Sequence, residues 1–196
     1  MSTLRIENGR LVREHDGEIL WIEAWGTDSL RIRASCRAAI DPMAPGALLP
    51  ATPSQADIVL DGENASYRNG NIVATLRDQG RLTISDVTGK VLVAERWRNR
   101  EVAGATYSAL NTAGREFKPL MGDMYRVTLR LEAVDGEKLF GMGQYQDGRL
   151  DLKGSVLELA QRNSQASVPF LMSNRGYGLL WNNPAVGRAS LAGPCR

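Results

Sequence analysis

Hydrophobic and polar residues alternate in short runs along most of this chain. Leu30-Arg31-Ile32-Arg33-Ala34 alternates apolar and basic positions, and Tyr125-Arg126-Val127-Thr128-Leu129-Arg130-Leu131-Glu132 repeats the pattern over a longer span. Period-two alternation turns one face of a strand to a core and the other to water. The same reading predicts strands over residues 19–24, 71–76, 81–85, 90–95, 156–161, 168–173 and 178–181. Asn8-Gly9, Asp16-Gly17, Asp61-Gly62, Asn69-Gly70, Asp135-Gly136 and Asp147-Gly148 punctuate the runs. Such Asx-Gly pairs reach the positive φ that tight hairpins require. No amphipathic run of three helical turns is present. The pattern predicts an all-β fold, an antiparallel sandwich or barrel.

One stretch breaks the rhythm. Residues 41–53 hold Pro42, Pro45, Pro50 and Pro53, and proline cannot donate to a central ladder. A surface loop is predicted there, not a domain linker. With 196 residues, the chain is expected to form a single β-domain over 1–196, large enough for a core without staples. The last predicted strand is followed by only a short polar stretch, so the chain is expected to lack a natural continuation.

Charge narrows the partners. The net charge is +2 with Lys and Arg scattered, and no nucleic-acid partner is expected without a basic face. Glu95-Arg96-Trp97-Arg98-Asn99-Arg100-Glu101 carries three arginines bracketed by acids and reads as a solvated strand end. No run approaches the length of a membrane helix, and the start lacks an apolar leader region. A cytoplasmic location and no membrane partner are therefore expected. Cys36 and Cys195 are far apart and read as free thiols.

Candidate chemistry is sparse. His15 is the single histidine and lies beside Asp16-Gly17, where a solvent-facing turn residue is expected. No CxxC, HExxH or acidic calcium loop occurs. Phe140-Gly141-Met142-Gly143-Gln144 contains a GxG without the third glycine of a phosphate loop, so it reads as a bent or bulged strand where only glycine fits. Asp147, Asp151 and Glu158 are carboxylates of the type a glycosidase pairs, but carboxylates alone select nothing. Trp21 and Trp25 fall on one strand face, where core packing is favoured over ligand stacking. From the residues alone the reading stops at an antiparallel β-domain.

Three stretches carry a resemblance. Leu139-Phe140-Gly141-Met142-Gly143-Gln144 followed by Leu150-Asp151-Leu152-Lys153-Gly154 resembles a paired signature of family 31 glycoside hydrolases. Val168-Pro169-Phe170-Leu171-Met172-Ser173-Asn174-Arg175-Gly176-Tyr177-Gly178-Leu179-Leu180-Trp181-Asn182-Asn183 is similar to that family's following strand pair, and residues 21–33 to its opening hairpin. The resemblance implies a β-sandwich of the galactose-mutarotase-like type ahead of a (β/α)8 barrel that carries both catalytic carboxylates. This chain is then the non-catalytic N-terminal domain of a retaining α-xylosidase or α-glucosidase, inactive alone, supporting the barrel and shaping the active-site mouth. No catalytic residue, metal or organic cofactor is implied within it. Its implied partners are α-linked glucose or xylose saccharides through the parent enzyme and the barrel itself, with self-association of the isolated chain.

In that family the loop before the Pro169-Phe170 strand reaches toward the active-site mouth. Here it is short, at residues 160–167, and lacks the tryptophan and aspartate the family often carries. Gln161, Arg162 and Asn163 are its candidate substrate-adjacent groups, and its pattern looks closer to the α-xylosidase branch. The alternative is a free-standing carbohydrate-binding β-sandwich module. A small mutarotase-like enzyme is disfavoured because such chemistry generally draws on histidine acid/base groups and the one histidine lies in a turn.

Overall fold

A computed structural model describes residues 2–41, 48–51, 55–77, 79–97 and 112–192. Among them every regular element is a strand and every strand pairing is antiparallel. Most of the predicted proline-rich loop, Arg98, Arg100 and Cys195 lie outside the described residues. The chain divides into two compact units, Met1–Glu132 and Ala133–Arg196.

The first unit holds two meanders. β1 (Thr3–Glu7), β2 (Arg10–His15), β3 (Glu18–Ala24) and β4 (Leu30–Ser35) pair in chain order. β5 (Asp57–Asp61), β6 (Asn64–Asn69), β7 (Ile72–Arg77), β8 (Arg81–Asp86) and β9 (Val91–Ala94) do the same. At the β2–β3 turn Asp16 and Gly17 have φ of 48° and 78°, the two positive values a two-residue hairpin loop of the primed kind requires. Register follows the alternation: Leu11 pairs Ile22, and Ile22 pairs Ile32. Those side chains share a face and meet Tyr67, Ala74, Leu76 and Leu82 of the other meander in one core. Fully burying each such aliphatic side chain contributes about 1.5–3 kcal/mol.

Polar ties fix the two sheets against each other. The buried Tyr67 hydroxyl donates to Gly9 O at 3.0 Å and accepts from Ala24 N at 2.8 Å. Asn69 Nδ2 donates to Gly26 O at 2.6 Å and Ser29 O at 2.8 Å, satisfying carbonyls of the β3–β4 loop. A hairpin of β10 (Arg115–Pro119) and β11 (Tyr125–Leu129) completes the unit, next to an isolated bridge between Glu95 and Leu131.

Trp21 and Trp25 do not enter this core. Trp21 has the opposite parity to buried Leu20 and Ile22. The Arg10 and Arg33 guanidinium carbons lie 4.3 and 4.8 Å from its ring centre, and Arg31 lies 4.4 Å from that of Trp25. Glu23 sits among these arginines, 2.7 Å from Arg33 Nη2. The electron-rich ring faces attract the cations, so the outer face of this sheet is a charge-and-aromatic layer.

The second unit is smaller. Its strands are β12 (Leu139–Gln144), β13 (Val156–Leu159), β14 (Ala166–Ser173), β15 (Tyr177–Leu180) and β16 (Gly187–Ser190). β12, β14 and β15 form one sheet in that order, and β13 pairs β16. Its hydrophobic core cluster is built on buried Met142, Leu152 and Leu157. The predicted bent strand is present: register shifts between Gly141 and Gly143. A Cβ at Gly141 would stand 2.5 Å from Phe170 O, and one at Gly143 would meet Ala166 O, so neither position admits a side chain.

Candidate functional site

The loop between β13 and β14 holds the three residues singled out from the sequence. Gln161 is exposed like its neighbours, but its amide is engaged: its Nε2 donates to Ser167 O at 2.7 Å, and its Oε1 accepts from Ser167 N at 3.2 Å. Both ends of the amide are thus used to pin the loop. Arg162 pairs with Glu158 four residues earlier, with both side chains exposed, an arrangement worth little in water. Asn163 lies at the exposed turn between the bridged residues Arg162 and Gln165. Tyr145 braces the base of the loop, donating to Glu158 O at 3.0 Å and lying 2.9 Å from Ser167 Oγ. The loop presents Arg162 and Asn163 outward and keeps Gln161 as a staple.

The signature residues around this loop do structural work. Asp151 Oδ1 accepts from Leu139 N and Lys153 N, each at 3.1 Å. Those two backbone donors, with Lys153 first, hold its carboxyl below the usual range. Lys153 Nζ donates to Val134 O. Buried Glu137 accepts from Ser173 Oγ at 2.5 Å and Tyr177 OH at 2.7 Å. Burial, and then the Glu137 contact, push the Tyr177 phenol up to about 12. Gly178 lets the Phe170 ring lie on the backbone, since a Cβ there would stand 2.7 Å from Phe170 Cζ.

A second cluster, in the first unit, has no sequence motif. Arg115 joins two acids: Nε lies 2.9 Å from Glu18 Oε1, and Nη1 pairs with Glu95 Oε1. Glu95 is 1% exposed, so the stretch read as a solvated strand end begins inside the protein. Its Oε2 accepts from Leu82 N at 3.0 Å. Burial raises the Glu95 pKa, opposed by Arg115. A cavity of about 330 Å³ adjoins the cluster, lined by Arg13, His15, Glu18, Trp97, Arg115 and Phe117 among others. His15 lines it with Nδ1 shielded from water and unpartnered, which departs from the solvent-facing histidine expected. Cys36, also on its wall, is a free thiol. These residues come from five separate stretches of chain, and no spacing in the sequence links them.

Comparison with known proteins decides the family. The model of the glycosyl hydrolase 31 N-terminal galactose mutarotase-like domain matches residues 51–188. The chain belongs to that family. An uncharacterised family 31 glucosidase of Pseudescherichia vulneris is 52% identical over 184 residues, covering 89% of this chain and 35% of the relative. Alpha-xylosidase A of Aspergillus niger is 27% identical over 194 residues, covering 89% of this chain and 25% of its own length. The crystal structure of a family 31 α-xylosidase from a soil metagenome, complexed with xylose, superposes with TM-score 0.88 at 42% identity. That match covers 97% of this chain and 29% of the solved one. The chain therefore spans about a third or less of these relatives.

The fold of this family 31 domain is all-β and galactose-mutarotase-like, as the motifs implied. The matched span covers the bulged β12, the Asp151 turn and the Phe170–Gly178 contact. The motifs thus mark backbone geometry. Among the described residues no helix is long and apolar enough to cross a membrane, and no group of three His, Cys, Asp or Glu side chains could hold a metal ion.

Proposed function

We propose that this chain is the non-catalytic N-terminal domain of a retaining α-glycoside hydrolase, an α-xylosidase or α-glucosidase. The observation that carries it is the 97% coverage of this chain by 29% of an α-xylosidase at TM-score 0.88. On this reading a (β/α)8 barrel supplies two carboxyl groups about 5 Å apart, forming and hydrolysing a glycosyl-enzyme intermediate. The one domain over 1–196 supports that barrel, and Gln161 holds the loop that carries Arg162 and Asn163 toward the saccharide.

An apolar face on the second unit supports a barrel partner. Val168, Phe170 and Met172 alternate along β14 at 50%, 40% and 48% exposure, and Leu180 stands opposite Phe170 at 38%. Contiguous exposed apolar surface marks a contact site.

The test compares the 196-residue chain with the whole protein that contains it, on 4-nitrophenyl α-xyloside and α-glucoside. Activity is expected only in the whole protein, with the α-anomer released first. Turnover by the chain alone, or a whole protein without a barrel, would end this reading. In the whole enzyme, Asn163→Ala is expected to raise KM about threefold with kcat held, which is the loss of one binding contact.

A further inference from the structure

Among the described residues, three polar atoms around the cavity of the first unit have no hydrogen-bond partner: Arg13 Nε, His15 Nδ1 and Trp97 Nε1. Native proteins seldom leave buried donors unmatched, and such groups call for an explanation. Arg13 is the sharpest of the three. It is 3% exposed, and its Nη2 donates to Gln79 O at 2.5 Å. Among the described residues it has no ion pair, while neighbouring Arg115 has two. Buried charge is ordinarily paired.

The wall bears signs of a built site. Gln79 and Gly80 turn under Arg13 with φ of 67° and 97°, and a Cβ at Gly80 would meet the Arg13 guanidinium. Gln79 and Gly80 belong to the β7–β8 turn, where positive φ is the ordinary hairpin requirement, so it is the close approach at Gly80 that marks this wall. A volume of about 330 Å³ falls at the small end of ligand pockets. Its chemistry is mixed: Trp97 and Phe117 bring aromatic faces, Asp16 and Glu18 bring acceptors, and Arg13 and Arg115 bring donors. Glu18 and Glu95 already neutralise Arg115, so among the described lining residues both signs are in near balance. A free anion meets carboxylates there, and a free cation meets arginines. A neutral ligand rich in hydroxyls satisfies both.

We propose that this cavity binds a neutral sugar ring, a pentose or hexose. The ring's C–H face packs on an aromatic wall. Its hydroxyls bond the Arg13 guanidinium, His15 Nδ1 and the Trp97 indole and donate to Glu18. Small side-chain rotations, common when ligands enter, bring the shielded N–H groups to bear. The site lies wholly within this chain's first unit, so it can be tested without a barrel, and failure of the glycosidase reading leaves it standing.

The experiment titrates the nitrogen-15-labelled 196-residue chain with D-xylose, D-glucose and inorganic phosphate. The readout is the Trp97 indole N–H resonance, assigned by its loss in Trp97→Phe. At least one sugar is expected to move it saturably in the millimolar range, and phosphate is not. Arg13→Met, which keeps the apolar stem, is expected to weaken binding about tenfold, as loss of a charged hydrogen bond does. Should that variant not fold, His15→Gln is expected to weaken binding about threefold. The proposal is overturned if neither sugar moves the resonance up to about 100 mM, or if phosphate alone does. Unchanged affinity in a folded Arg13→Met, or in His15→Gln where Arg13→Met does not fold, also overturns it.

Discussion

The two units solve the same problem with unequal means. The first buries Leu11, Leu20, Ile22, Tyr67 and Leu76 to 1% exposure or less between two broad sheets. The second buries Met142, Leu152 and Leu157, each at 4%, and leaves Val168, Phe170 and Met172 facing out. What the second lacks in core it makes up in backbone devices. A double-glycine bulge, the Asp151 turn and the Glu137 acceptor each fix a position by geometry. Two broad sheets can hold a fold largely by burial, whereas a small sheet leans on specific residues at specific points. That is why the recognisable motifs crowd into the second unit.

The comparison breaks first at the bulge. Gly143→Val places a side chain against Ala166 O at a φ of 99°. It is expected to cost more than about 4 kcal/mol, combining backbone strain with a clash. Hydrogen exchange should show the loss in residues 133–192 with the first unit still protected. Loss spread evenly over both would mean that one cooperative body holds the chain. Leu76→Ala, in the larger core, is expected to cost about 3 kcal/mol by leaving a cavity, with the opposite exchange pattern.

Tyr177→Phe tests the polar devices and is expected to cost about 1–2 kcal/mol, because Glu137 loses one of its donors. It should also change the alkaline limb. The folded phenol titrates near about 12 and an unfolded one near about 10. The folded state therefore holds the proton more tightly. Its contribution is complete below pH ~10 and is lost as pH rises toward ~12. Urea melts across that range should be steeper in pH for the native chain than for Tyr177→Phe. The smallest effect belongs to Met172→Thr on the open apolar face. Stability should shift by less than about 0.5 kcal/mol while self-association in sizing chromatography falls. Unchanged association would show that this face is not the sticky one.

Legibility followed the same division. β3, β4, β7 and β8 were readable because Ile, Leu and Val recur along them, in β4 and β8 alternating with charged or polar residues. β6 was not, since Asn64-Ala65-Ser66-Tyr67-Arg68-Asn69 buries a small residue and a tyrosine among polar ones. β10 went unread for a similar reason, with Arg115 directed to Glu18 and Glu95 instead of water. The GxG bulge was readable because glycine spacing reports backbone approach directly. The tryptophans were misjudged because aromatic character suggests a core, while parity with Leu20 and Ile22 put Trp21 on the other side. At the candidate loop, Gln161 was legible as a polar group but not as one spent on Ser167, a contact six residues away. The cavity was out of reach, because Arg13, Gln79, Trp97 and Arg115 come together only when both sheets are assembled.

Tyr67 adds a consequence for synthesis on the ribosome. Its hydroxyl joins Gly9 and Ala24, partners 58 and 43 residues away. The first meander leaves the exit tunnel complete, with Leu11, Leu20 and Ile22 uncovered, before the strand bearing Tyr67 has emerged. At about 5–20 residues per second, that wait lasts seconds, and pairings so distant in sequence close slowly once available. The nascent chain thus passes through an interval in which half a sandwich stands open, and this is the stage at which a chaperone would find it.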